Sequence, residues 1–240
     1  MPLTRVWDAP VRIFHWCFAG GFIFAYLIAN VTDEDSTLFA YHTLAGYALA
    51  GLVLFRVIWL IAGTKWSRLS GLALNPKDLV TYMVGVFSKK HASHTGHNPA
   101  TSWTLLAMLL CANGLAWTGW QMSNGLEIGE DIHALLANAF MALVAVHVGG
   151  VLFHSLRHCD GLVLSMIHGH KRLEHEQSIP ARSGVALLMV AVITVGATLA
   201  TSYEPATGTL RIPGTERILK LGSADDRGNR NAEHEEYDQD

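Results

Sequence analysis

Long apolar runs, broken by short polar connections, set the pattern of this chain. Five stretches, at about 12–30, 40–62, 102–121, 132–156 and 183–203, approach the ~20 residues a helix needs to cross a bilayer. They predict an all-α integral membrane helical bundle with five transmembrane helices. The connections alternate in charge. "VTDEDSTLFA", after the first run, and "QMSNGLEIGEDI", after the third, are acidic and hold no Lys or Arg. The N-terminus (Arg5, Arg12), the second connection (Lys65, Arg68, Lys77, Lys89, Lys90) and the stretch after the fourth run (Arg157, Lys171, Arg172, Arg182) are basic. Because Lys and Arg stay on the cytoplasmic side, this alternation predicts a cytoplasmic N-terminus, outward-facing acidic hairpins and a periplasmic C-terminus. Residues 1–203 read as the transmembrane domain. Residues 204–240, with Pro205, Pro213 and the ending "AEHEEYDQD", read as an extended acidic tail on the outer face.

Composition agrees. The 240 residues are 50% hydrophobic and 15% charged, against about 25% charged in soluble domains, and mean hydropathy is +0.27. The charge balance gives no pointer to nucleic acid. "MPLTRVWDAPVRIFHW" carries Arg5, Asp8 and Arg12 and no small-residue cleavage site, so the first apolar segment is expected to be retained. Cys17, Cys111 and Cys159 stand far apart with no C-x-x-C pair. That excludes a zinc ribbon, a thioredoxin-type motif and covalent haem attachment.

The fourth run, "DIHALLANAFMALVAVHVGGVLFHSLRH", carries His133, His147 and His154. At 3.6 residues per turn, spacings of fourteen and seven fall about 40° and 20° short of whole turns, so the three imidazoles share one stripe. His133 and His147 are separated by roughly 21 Å along the axis, so one face of the helix offers imidazoles near both surfaces of a ~30 Å hydrocarbon core. Depth then selects partners. His42 lies a few residues from the outer end of the second helix, level with His133. His15 lies fifteen to sixteen residues below Asn30, level with His147. Facing imidazoles in a bundle core are the axial geometry of a six-coordinate haem. The pairs His15/His147 and His42/His133 therefore predict two non-covalent haem b, stacked as a wire through a four-helix di-haem core with a fifth helix added. Gly20, Gly21, Gly46, Gly149 and Gly150 beside these histidines would admit a porphyrin or serve helix packing equally well.

Other polar residues carry weaker signals. His154 has no depth partner and is either solvated near the inner surface or lines a quinone or proton site. Asn113, mid-span in "LLCANGLAWTGW", hydrogen-bonds a quinone carbonyl or another helix. Arg56 either pairs with haem propionates or snorkels to lipid phosphates. The inner "HASHTGH" (His91, His94, His97) has metal-like spacing but lacks Cys or carboxylate partners. With His168, His170 and His175, it reads as solvated loop. The seven Trp cluster near span ends and read as an interfacial belt.

"VWDAPVRIFHW", "FRVIWLIAG", "TGHNP" and "HVGGVLFHSLRHCDGLVLSMIHGHKR" resemble the bacterial cytochrome b561 family over roughly residues 3–203. That family includes the b-type cytochrome subunits of nickel–iron hydrogenases and the gamma subunits of formate dehydrogenases. The W-D-x-P-x-R-x-x-H-W opening and two histidines fourteen apart on the fourth helix are the specific marks. The resemblance implies the same ligand pairs, His15/His147 and His42/His133. It also implies electron transfer between a quinone pool and a redox partner protein, with a quinone site near the inner haem by a polar third-helix residue, here Asn113. The fifth helix, the acidic tail and Asp160-Gly161, where many members have Glu-Asn, depart from the pattern and bear on the partner. The reading is a di-haem b-type cytochrome of the bacterial inner membrane, an electron-transfer subunit with or without a quinone site of its own. Its outer-face partner would be a c-type cytochrome or a hydrogenase. The alternatives are a stand-alone superoxide:quinone oxidoreductase of the same family, disfavoured by the acidic outer loops, and a non-haem metal transporter, which leaves the depth pairing unexplained.

Overall fold

The computed structural model describes residues 3–33, 36–87, 97–124, 129–158, 162–172, 178–204, 207, 209–211, 215 and 218–220. Helices dominate. They are α1 (Ala9–Val31), α2 (Phe39–Ala62), α3 (Pro76–Phe87), α4 (Pro99–Ser123), α5 (Glu130–His158), α6 (Leu162–His168) and α7 (Ser183–Thr201). Five of them, α1, α2, α4, α5 and α7, are long and apolar enough to cross a membrane, and they coincide with the five predicted runs. Hydrocarbon offers the backbone no hydrogen-bond partners, so a spanning segment must satisfy its own, as a helix does. The spans present large apolar side chains outward: Ile61, Leu135, Leu156 and Leu187 are all exposed. In water such a surface would aggregate; in lipid it is solvated.

The chain divides into two compact units, residues 1–19 with 49–186, and residues 20–48 with 187–240. In the first, α4 packs along α5, α3 along α4, and α6 against α5. The basic connections gather at one end of this unit, and that end holds its tightest polar packing. Strand β1 (Leu3–Arg5) pairs antiparallel with β2 (His170–Arg172), placing Thr4 opposite Lys171. Beyond β1, the Val6 and Trp7 N–H groups both donate to the Gly169 carbonyl, at 2.9 and 3.2 Å. Gly169 sits at φ +84°, and a Cβ there would meet the Trp7 carbonyl oxygen at 2.9 Å, so only glycine fits this turn.

Asp8, fully buried, is the hub. Its Oδ1 caps α1 by accepting from the Val11 N–H at 2.9 Å. Its Oδ2 accepts from Trp59 Nε1 at 3.2 Å, Thr64 Oγ1 at 2.6 Å and Ser67 Oγ at 2.9 Å. One carboxylate thus fixes the start of α1 to the end of α2. Trp7 Nε1 donates to Ser165 Oγ at 3.1 Å, Trp16 Nε1 to the Met166 carbonyl at 3.2 Å, and Arg12 to the Ile167 carbonyl, tying α1 to α6. Trp7 and Trp59 are therefore buried donors rather than members of an interfacial belt, because their indole N–H groups have partners inside.

The start of α4 is equally defined. Asn98 Oδ1 accepts from the Thr101 N–H at 2.8 Å and Pro99 occupies the first helical position. Neither α3 nor α6 was anticipated by the apolar pattern. Helix α3 exposes Val80, Met83 and Val84, spaced three and four apart on one face.

In the second unit, β3 (Tyr203–Glu204), β4 (Thr209–Arg211) and β5 (Ile218–Lys220) form an antiparallel sheet. The stretch after 203, expected to be extended, thus pairs with itself. Leu210 lies opposite both Tyr203 and Leu219 in register. The rest of the expected acidic tail, from 221 onward, lies outside the described residues.

Candidate functional site

In the first unit, His15 from α1 faces His147 from α5. Their ring centroids lie 6.4 Å apart, with the planes 63° from one another. A metal bonded to a nitrogen of each ring at about 2 Å, with each ring centre about 1 Å further out, places the centroids roughly 6 Å apart. The two rings thus stand at the separation that one shared iron requires. Packing fixes the register: Phe18, three residues on from His15, meets Phe140, seven residues before His147, at 5.7 Å between ring centroids. Edge-on contact with Trp16 at 5.1 Å backs the His15 ring.

His133 lies in the same unit, on the other half of α5. Its Nδ1 is 2.8 Å from Thr118 Oγ1. The Thr118 hydroxyl donates its proton to the Gly114 carbonyl at 2.9 Å. With its proton given to that carbonyl, the hydroxyl accepts from His133, and in this arrangement the imidazole proton is on Nδ1 and the lone pair on Nε2. In the second unit, His42 Nδ1 lies 2.9 Å from the Ala25 carbonyl oxygen, and Phe39 stacks on its ring at 5.1 Å. A carbonyl only accepts, so this ring too carries its proton on Nδ1 and offers Nε2. Metal-bound histidines characteristically donate their second N–H in this way. The ring spacing of His15 and His147 and the Nδ1 contacts of His42 and His133 fit ligation of haem iron.

Arg56 is 3% exposed and donates to the Ser67 carbonyl at 3.1 Å. A buried guanidinium does not snorkel, which removes the lipid-phosphate alternative. Asn113 is exposed, and its amide donates to the Leu109 carbonyl of its own helix at 2.8 Å. It lines a groove of about 360 Å³ with Val53, Leu54 and Val57 of α2 and Trp117 and Trp120 of α4. This groove runs from the middle of α4 towards its acidic end. His154 is not among its lining residues.

The loop histidines divide. His91, His94 and His175 lie outside the described residues. His168 and His170 bond each other locally, with the His170 N–H donating to His168 Nδ1 at 3.1 Å. His97 is no solvated loop residue. It sits half-buried, edge-on to Trp7 at 4.8 Å, with its Nδ1 sealed from solvent. Asn98 and Pro99 carried the missed signal: a capped, proline-started helix holds the preceding residue in place. Among the described residues, no three His, Cys, Asp or Glu side chains gather to hold an ion.

Comparison with known proteins places this geometry. The family model of prokaryotic cytochrome b561 matches residues 6–169. The probable Ni/Fe-hydrogenase 1 B-type cytochrome subunit of Escherichia coli K12 is 24% identical over 216 residues, covering 69% of this chain and 89% of that protein. The probable Ni/Fe-hydrogenase B-type cytochrome subunit of Bradyrhizobium diazoefficiens is 23% identical over 215 residues, covering 71% and 87%. No solved structure matches.

Proposed function

The chain belongs to the prokaryotic cytochrome b561 family, a multi-pass membrane b-type cytochrome of electron transfer, and from that premise we propose that it carries two haem b on the pairs His15/His147 and His42/His133. The observation that carries this reading is the 6.4 Å separation of the His15 and His147 rings. Bound haem b supplies a one-electron iron couple. The protein's own part is to aim Nε2 of each histidine, through Thr118 for His133 and the Ala25 carbonyl for His42, and to keep water from the His15/His147 pair by packing Phe18 on Phe140. Arg56, buried at the basic end, is placed to balance a propionate.

Electrons pass between a quinone and a redox enzyme. The α2–α4 groove suits a quinone: mostly apolar walls, two indoles for ring contact, and the Asn113 amide as donor to a carbonyl. The hydrogenase cytochrome relatives support a hydrogenase-type partner on the acidic face. The basic end faces the cytoplasm, and residues 1–203 form the membrane domain.

The test is a pyridine haemochrome assay on detergent-purified protein with reduced-minus-oxidised spectra. The parent should hold two haem b per chain, reducible by a quinol analogue. His147→Ala and His133→Ala should each hold one. Full haem content in both variants would overturn the ligand assignment.

A further inference from the structure

The basic end of the first unit buries positive charge beside a carboxylate that is already engaged. Arg56 and Lys171 are both buried there. Asp8, the one fully buried acid among the described residues, already accepts four hydrogen bonds, one on Oδ1 and three on Oδ2. Of the five N–H donors of Arg56, one goes to the Ser67 carbonyl. Beside them stands His97, whose Nδ1 is sealed from solvent and lacks a hydrogen-bond partner among the described residues. Burial first, and then the charges of Arg56, Lys171 and His147, push the His97 imidazole down to about 3. At neutral pH the ring is therefore uncharged, keeps one N–H to give, and sits in a positive field. With its proton on Nδ1, His97 is a buried donor without an acceptor among the described residues, and Arg56 is a buried cation beside an acid already engaged; both are costly. Both costs are met by one ligand chemistry, a carboxylate. His147, close enough to act on His97 electrostatically, links the cluster to the paired histidines.

We propose that His97 and Arg56 together bind a carboxylate of the haem held between His15 and His147, forming a cradle for its acidic edge beside Lys171. This rests on the ligand reading above and assigns a role to the "TGHNP" motif. Asn98 caps α4 and Pro99 starts it, so His97 is presented from a fixed helix start rather than from a loop free to move. Trp7, bonded to Ser165, braces the imidazole from the other side.

The test separates carboxylate recognition from packing by changing the haem as well as the protein. In a His133→Ala background, which removes the other haem, full-length apoprotein is reconstituted with protohaem or with its dimethyl ester, and affinity is read from the Soret titration. A charge-assisted hydrogen bond lost is expected to weaken binding about ten- to hundredfold. With His97 in place, the free acid should therefore bind about tenfold or more tighter than the ester. His97→Leu should lose most of that preference, and His97→Gln, which keeps an N–H, should retain part of it. Redox titration should show the potential of this haem moving in His97→Leu. An acid-over-ester preference unchanged in both variants overturns the cradle, as does equal weakening of acid and ester. Failure of the ligand reading itself appears differently, as undiminished haem when His147→Ala is combined with His133→Ala.

Discussion

The basic end of the first unit and the opposite half of its α4–α5 pair place histidines by different means. At the basic end, seven residues from Val6 to Arg12 reach the ends of α2 and α6 through hydrogen bonds spanning more than 50 and more than 150 residues of sequence. His15 follows one turn later and inherits that rigidity. At the acidic half, His133 is bonded to Thr118 on the neighbouring helix. The His15 ring is set by architecture and the His133 ring by a local bond. The W-D-x-P-x-R opening thus serves position: Asp8 is the hub, Trp7 and Arg12 are ties, and Pro10 lies in the first turn of α1, where its missing N–H does no harm.

Breaking the hub should have the largest effect. Asp8→Ala strands four buried donors and leaves Arg56 without its nearby acid. A loss of about 3–5 kcal/mol is expected, read as a fall in the thermal unfolding midpoint in detergent, together with loss of the His15/His147 haem. A stable Asp8→Ala protein with two haems would show that the cap is dispensable. Thr118→Val tests the other region. It keeps the volume, removes the acceptor, and frees the His133 tautomer. Losing the group that orients a metal-bound histidine costs about ten- to a hundredfold in metal affinity. The loss should fall on the His133 haem alone, and Thr118→Ser should restore it. Simultaneous loss of both haems would erase the distinction between the regions.

A smaller effect is expected from the groove. Asn113→Leu removes its amide while keeping it apolar, so quinol-driven haem reduction should slow about tenfold, the worth of one hydrogen bond of roughly 1.4 kcal/mol, with haem content intact. Unchanged reduction by quinol would move the quinone elsewhere, His154 being the next residue to test.

The five spans were legible because membrane helices announce themselves by length and hydropathy, and the stripe of His133, His147 and His154 because helical period is a property of sequence. The His15/His147 pair followed from depth. What escaped shares one cause. Trp7, Trp59, Arg56 and His97 look like belt, snorkel and loop residues in one dimension. Their buried roles come from partners far along the chain, Ser165, Asp8 and Ser67 among them, which no local pattern encodes. Helices α3 and α6 are too short for a spanning signal, and β1–β2 joins segments more than 160 residues apart.

Gly119 sharpens the comparison at its finest scale. A Cβ added there would stand 3.4 Å from His133 Cε1 and 3.8 Å from Nδ1. Contact at that distance is tight but not prohibitive, so Gly119→Ala leans on the ring without breaking the Thr118 bond. Alanine also favours the α4 helix by about 1 kcal/mol over glycine, so global stability should hold or rise. If the local bond sets the ligand, the expected signature is therefore a small displacement of the His133 haem's low-spin EPR signal, an unmoved signal from the His15/His147 haem, and an unfolding midpoint no lower than the parent's. An altered His15/His147 signal would mean that the ring at one end of α5 is coupled to the ring fourteen residues away, and that the two means of placement are not independent.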